Sequence, residues 1–350
     1  MGDVILTTGV VAALSNRFPG ARIDYLTRSP HDQLLREETT LENVIALPRK
    51  DSGKIASFRQ YIHFLRYLRQ NRYDLVIDFF SRGPRSRIIT FATRAPFRLG
   101  LVDRGFPGHY WIDPIVYTRI SSPPVQLALT VDRMNHLLSR IFSLATLPSP
   151  SSSPTLTVTD NNIAAAQEVL MSSFSGERPL FLIFCGSGIP TKNWPAQNFA
   201  EIARRLVDRG VGVLFLGAAS DHRQMERVRE NIENPTGVIF QENLPFGTLK
   251  GLCRLSIGIL GNDSGPLHLA QATGQKVVVL FGPGDHVSYA PFHGRFLKAN
   301  LACQPCQAFA NHCSDNRCMQ EISVEDVWHT LLETFEIPGQ RTRGESVRLP

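Results

Sequence analysis

Apolar and polar positions along this chain follow two alternating patterns. Short unbroken apolar runs, Leu180 to Phe184, Val211 to Leu216, Ile257 to Leu260 and Val277 to Phe281, are separated by stretches whose apolar residues recur every three or four positions. The first pattern predicts strands buried on both faces of a parallel sheet, the second amphipathic helices packed against it. One such helix carries Phe199, Ile202, Ala203 and Leu206 and stops at Gly210. The N-terminal half repeats the theme. Val10, Val11, Leu14 and Phe18 predict a helix, Arg22 to Leu26 and Val44 to Leu47 predict strands, and Ile55, Phe58, Ile62, Leu65 and Leu68 a long helix. Tyr73 to Phe80 and Arg98 to Leu101 read as further strands flanking a helix around Ile88 to Ala92. Strands separated by helices throughout predict doubly wound α/β sheets. The first helix follows no strand, so the N-terminal sheet is expected to lack its first strand.

Between Leu147 and Pro154 the composition turns to Ser and Pro, which sustain no packed element. The expected organisation is a Rossmann-like domain over 1–147, a linker over 148–158, a second Rossmann-like domain over 159–337 and a polar tail over 338–350. At 350 residues, 43% hydrophobic and 19% charged, the chain has material for two cores. No apolar run reaches the length of a membrane span and no basic-then-apolar leader is seen, so the expected location is the cytoplasm. The net charge of +6 and pI near 9.1 favour anionic partners: phosphorylated substrates, an acidic membrane surface or nucleic acid. Of six cysteines, Cys185 and Cys253 sit in apolar surroundings and read as core. Cys303, Cys306, Cys313 and Cys318 have a spacing that could close a structural zinc site, with unpaired thiols as the alternative.

Chemistry concentrates in four loops that follow strands. They hold Gly2-Asp3 with Thr7-Thr8, then Arg82 and Arg85 near Arg87, then Gly186 to Pro195 with Ser187 and Lys192, and last Asn262 to His268. In the last, Asp263 and Ser264 can cap a helix, Gly265 permits close backbone approach and Pro266 suits the first turn, leaving amides and the helix dipole to meet an anion. A capped helix of an ordinary α/β fold is the plainer reading. Two α/β halves would place strand C-terminal ends about a cleft. A carboxylate on one wall and a cation plus helix N-terminus on the other suit transfer of a group from a phosphorylated donor.

Four motifs occur in order: G-D-V-I-L-T-T-G, Y-D-L-V-I-D, G-S-G-I-P-T-K-N-W-P and G-N-D-S-G-P-L-H-L-A with its F-G-P-G-D. From Gly2 to about Val327 the chain resembles the heptosyltransferases of lipopolysaccharide core biosynthesis, glycosyltransferase family 9. The resemblance implies a GT-B fold, with two Rossmann-like domains facing a central cleft. It implies inverting, metal-independent transfer of a heptose from ADP-heptose to an anionic glycolipid acceptor, with peripheral contact on the cytoplasmic face of the inner membrane. By the same resemblance Asp3 is the base, Lys192 the donor-phosphate cation, and Ser187, Asp263, Ser264, Gly265 and His268 the remaining donor contacts. Asp221 would reach the nucleotide ribose, and Thr7, Arg82 and Arg85 the acceptor. For Asp3 the competing role is a helix cap, for Lys192, Asp221 and the arginines a solvated surface, and for His268 core packing. Alternatives at the level of the whole chain are a GT-B enzyme using another nucleotide sugar, a nucleotide-sugar epimerase among them, an inactive truncated sugar-nucleotide binder, and a zinc-bearing nucleic-acid binder.

Overall fold

The computed structural model describes residues 1–48, 54–79, 83–101, 111–121, 130, 132–134, 136, 153–174, 178–306, 313 and 315–339. Arg82, residues 148–152 of the expected linker and residues 340–350 of the expected tail lie outside them. The chain divides into two compact units, a larger one of Met1–Ile5 with Thr155–Pro350 and a smaller one of Leu6–Pro154. The first five residues therefore count with the C-terminal part of the chain, and the larger unit takes in Leu156, which is buried and donates its backbone N–H to the Ala272 carbonyl.

The chain opens with α1 (Gly2–Leu6) and α2 (Thr8–Arg17). In the smaller unit β1 (Asp24–Thr27) and β2 (Asn43–Ala46) form a parallel pair, followed by α3 (Lys54–Gln70). β3 (Leu75–Asp78), α4 (Pro84–Thr93), β4 (Phe97–Leu101), α5 (Asp113–Val116) and β5 (Arg119–Ser121) follow, and the three strands form a parallel sheet in that order. The periodicity placed Phe58 on the buried face of α3, but its side chain is 65% exposed. Leu68 is buried and Leu65 packs beside it, as expected, and Phe64, which the periodicity did not pick, is buried with them against Ile89 of α4 and Tyr61.

In the larger unit α6 (Asp160–Ser173), β6 (Leu180–Phe184), α7 (Ala196–Val207), β7 (Gly212–Gly217), α8 (His222–Glu230) and β8 (Val238–Glu242) come first. α9 (Phe246–Leu255), β9 (Gly258–Asn262), α10 (Gly265–Ala272), β10 (Val277–Phe281), β11 (Gly294–Lys298), α11 (Arg317–Gln320) and α12 (Val324–Thr334) complete it. Its six strands are all parallel, in the order β11-β10-β9-β6-β7-β8. Strands β6, β9 and β10 are buried along their whole length, as unbroken apolar runs must be when helices cover both faces. Successive strands run outward from β6 to β8, then the chain returns to the other side of β6 and continues outward through β9 and β10. The order reverses between β6 and β9, and in such sheets ligands bind at the strand C-terminal ends beside that reversal. Among the described residues no helix is long and apolar enough to cross a membrane.

Candidate functional site

Two loops leave the sheet at the reversal. Register pairs Phe184 of β6 with Gly261 of β9, and Asn262 of β9 with Leu280 of β10, so all three strands end at one level. Asn262 is fully buried and joins the loops: its Oδ1 accepts the Trp194 backbone N–H at 3.1 Å and its Nδ2 donates to the Cys185 carbonyl at 2.7 Å. Trp194 is itself buried, its indole N–H donating to the Ile322 carbonyl at 2.9 Å and its ring set edge-on to Phe199. Each buried polar atom here has a partner, so the loop between β6 and α7 is held rigidly.

That rigid loop delivers Lys192, the last residue of a short 3₁₀ turn, Pro190–Lys192. Its Nζ lies 2.6 Å from Asp263 Oδ2, with the two side chains 21% and 10% exposed. Gly284, after β10, completes the enclosure, because a Cβ there would overlap the Asp263 carboxylate and stand 3.4 Å from Lys192 Nζ. The F-G-P-G-D run is the sequence signal for this third wall.

Ser264 has the extended backbone of a helix N-cap (φ −155°, ψ 162°) and Pro266 occupies the first turn of α10. The expected capping chemistry is not made. Ser264 forms no cap hydrogen bond, and Asp263 is turned to Lys192. Ser264 Oγ and His268 Nδ1 are buried with no hydrogen-bond partner among the described residues. His268 is 7% exposed, and burial pushes its pKa down from the usual histidine range, with Asp263 and Asp3 pulling the other way. The imidazole is therefore neutral at neutral pH.

Asp3 lies in the first turn of α1, and its negative charge acts on His268. The backbone ahead of it packs directly on the notch. A Cβ at Gly2 would stand 2.9 Å from the His268 ring, and one at Gly265 would stand 2.6 Å from Met1 Cε. Asp3, Lys192, Asp263, Ser264, Gly265 and His268 are thus brought to one end of α10.

Ser187 and Asp221 form the adjoining wall. Ser187 Oγ lies 2.6 Å from Asn193 Oδ1 and 2.7 Å from the Ile189 carbonyl. Asp221 accepts the Ala218 N–H at 2.9 Å and the Gly188 N–H at 3.3 Å, and Gly186 packs so tightly on its carboxylate that no Cβ would fit. Burial and the negative charge of Asp221 push the Cys185 thiol up to about 12, which keeps it protonated and a poor nucleophile.

The residues assigned to an acceptor in the smaller unit are occupied locally. Thr7 is buried with its Oγ1 2.5 Å from the Tyr25 hydroxyl, and Arg85 donates to the Pro48 carbonyl at 3.1 Å and stacks on Tyr61. Arg87, read as a neighbour of that basic loop, is instead buried in a two-pronged ion pair with Asp113. The cysteine cluster is dispersed in exposure: Cys303 and Cys313 are exposed, Cys318 buried. The Cys313 thiol donates to Asp315, and burial drives Cys318 up to about 11. Among the described residues no three His, Cys, Asp or Glu side chains are arranged to hold a metal ion.

The sequence model of glycosyltransferase family 9 (heptosyltransferase) matches residues 61–317. Lipopolysaccharide heptosyltransferase 2 of Salmonella typhimurium is 26% identical over 306 residues, 81% of each chain. Lipopolysaccharide heptosyltransferase 1 of Pseudomonas aeruginosa is 23% identical over 319 residues, 87% of this chain and 83% of its own. Among solved structures, a glycosyl transferase family 9 protein from Veillonella parvula superposes with a TM-score of 0.79 at 22% identity, covering 95% of this chain and 93% of that one. The ADP-heptose LPS heptosyltransferase II of E. coli gives 0.73 at 20%, covering 95% of both. The E. coli heptosyltransferase WaaC with ADP-2-deoxy-2-fluoro heptose gives 0.69 at 16%, covering 95% and 96%. The family match begins at residue 61, so the Gly2-Asp3 correspondence lies outside it.

Proposed function

This chain belongs to glycosyltransferase family 9, with its GT-B fold, and on that premise we propose that it transfers a heptose from ADP-heptose to the inner core of lipopolysaccharide. The observation that carries the reading is the notch at the start of α10. An ammonium, an uncapped helix N-terminus and a buried hydroxyl converge there at the sheet's reversal point. Such a set meets a diphosphate through a point charge, amides and dipole together. The relatives' ADP-heptose and ADP-2-deoxy-2-fluoro heptose support the donor's identity.

In this reading Lys192 binds the leaving diphosphate, and the donor displaces it from Asp263, which then faces the sugar hydroxyls. Ser264 and the Gly265 amide take phosphate oxygens, since Pro266 has no N–H and the Leu267 N–H already donates to the Ser264 carbonyl. Neutral His268 offers a hydrogen bond without adding charge. Ser187 and Asp221 hold the loop that lines the nucleotide. Asp3 accepts the acceptor hydroxyl's proton as that oxygen attacks the anomeric carbon. The bond from that carbon to the diphosphate oxygen breaks with its electron pair leaving on ADP, so the configuration inverts. Because Lys192 supplies the positive charge at the leaving group, the transfer is read as metal-independent. Arg82 and Arg85 are assigned to the acceptor's anionic groups, and the acceptor places the enzyme at the cytoplasmic face of the inner membrane.

A panel of ADP-, UDP- and GDP-linked sugars, scored by thermal protection and by product mass with a heptose-deficient core acceptor, tests this. ADP-heptose should protect and be consumed in preference to the others, and Asp3→Asn should lower turnover by about 10²–10⁴ while leaving ADP-heptose affinity nearly unchanged. Preference for another nucleotide sugar overturns the donor, and full turnover by Asp3→Asn overturns the base.

A further inference from the structure

The smaller unit carries a feature that the donor site does not use. A shallow basin of about 590 Å³ is lined by Arg66, Arg69, Arg72 and Arg94, with Asp74 its one acidic lining residue. Tyr73 and Asp74 lead into β3 and Pro96 into β4, so the basin lies at the N-terminal edge of the β3-β4-β5 sheet, opposite the edge where doubly wound sheets bind ligands. Proximity to the C-terminal end of α3 accounts for Arg69 through the helix dipole. It does not account for the backbone at the other two. Among the described residues four non-glycine residues have positive φ: Asn243, Asn316, Arg72 (48°) and Arg94 (56°). Asparagine tolerates that region, whereas arginine follows a helix there in place of the usual glycine only at a conformational disadvantage. Both such arginines line the basin, which is the kind of local strain that marks functional surfaces.

Exposed apolar side chains are concentrated in the same unit. Among the described residues eight of the twelve exposed large hydrophobics lie between Phe58 and Ile120. Phe97 is 61% exposed beside Pro96, and its N–H donates to the Asp74 carbonyl. Phe91 is 52% exposed one turn before Arg94, with Ile88 on the same face of α4. Tyr67 is exposed next to Arg66. Guanidinium groups interleaved with half-exposed aromatic and aliphatic side chains are what an anionic lipid interface rewards, the charges meeting headgroups and the apolar tips entering the acyl boundary. Aromatic side chains among arginines would also suit single-stranded nucleic acid, but Ile88 offers no ring for a base to stack on.

We propose that the arginine basin and its apolar rim dock the smaller unit onto a membrane surface rich in anionic phospholipid. The inference stands on this surface and not on the donor assignment. It is tested by co-sedimentation of the full chain with vesicles of phosphatidylcholine alone and of phosphatidylcholine with phosphatidylglycerol, across a salt series. Binding should require phosphatidylglycerol and weaken with salt. The double variant Arg66→Ala, Arg69→Ala should bind about 25-fold more weakly, about fivefold per arginine. The pair Phe91→Ser, Phe97→Ser should lose about tenfold at every salt concentration. All these side chains are exposed, so both variants should keep the wild-type melting temperature and ADP affinity. No pelleting of the wild type, equal pelleting on phosphatidylcholine alone, or wild-type binding by the arginine variant overturns the proposal. Salt-sensitive binding of single-stranded RNA that the arginine variant loses, without vesicle binding, assigns the surface to nucleic acid and overturns it as well.

Discussion

Two helices of the larger unit begin with the same class of residue and use it differently. At α6 the Thr159 hydroxyl accepts the Asn162 N–H at 3.3 Å while Asn162 Oδ1 accepts the Thr159 N–H at 3.1 Å, a closed capping box. At α10 Ser264 has the backbone of an N-cap, yet its buried hydroxyl makes no bond to the helix it precedes. A cap that satisfies its own helix is architecture. One that leaves first-turn amides uncapped, beside a lysine and at the reversal of a parallel sheet, is arranged for a partner that is not part of the chain. The lysine shows the same contrast. Arg87 grips Asp113 with two prongs in the smaller unit's interior and donates a further bond to the Gly83 carbonyl, whereas the Lys192–Asp263 pair is single-pronged and partly exposed, open to exchange with an incoming anion.

The sharpest way to break this comparison is at the lysine. Lys192→Ala should weaken ADP binding by about 10- to 100-fold, the range of one charge-assisted hydrogen bond to phosphate, measured by calorimetry. Unchanged affinity would return Lys192 to the role of a surface cation. Next come the caps themselves. Thr159→Ala should lower unfolding free energy by about 1 kcal/mol in a denaturant titration and leave ADP affinity alone. Ser264→Ala should do the reverse, weakening ADP several-fold while changing stability by less than about 0.5 kcal/mol. If both variants lose stability equally, the two helix starts do the same job and the distinction fails.

The smallest effect concerns pH. The folded His268 pKa is depressed by burial, so near pH 6.5 and below the unfolded chain takes up a proton that the folded site resists. More protons on the unfolded state means that stability rises with pH. This contribution is intact above about pH 6.5 and is lost as pH falls below it toward the folded value. His286 shifts in the same direction, so His268→Gln should flatten, without abolishing, the fall in melting temperature from pH 7 to 5. An unchanged slope would show that the His268 proton is not linked to folding.

Much of this organisation was legible before any coordinates. The run Val277 to Phe281 became β10 at its expected bounds, and Phe199, Ile202, Ala203 and Leu206 became the buried face of α7. Strands with weaker patterns were missed: β8 ends in Gln241 and Glu242, and β11 is mostly exposed at the sheet's edge, so neither shows a continuous apolar run. Within the site, Lys192, Asp263, Ser264 and His268 could be picked from motifs, but Asn262 as the bond between two loops could not. Its partners are Cys185 and Trp194, 77 and 68 residues away.

The sequence by itself determined the parallel α/β architecture, the strand-loop-helix placement of the chemical residues and the family, because period and turn chemistry act over a few residues and survive in one dimension. Tertiary structure alone decided that Lys192 meets Asp263 across 71 residues, that residues 1–5 pack with the C-terminal part of the chain, and that Arg87 is spent on Asp113. Those outcomes depend on which of several competing partners a polar group reaches once the sheet has closed, and burial sets that choice by penalising every group left without one.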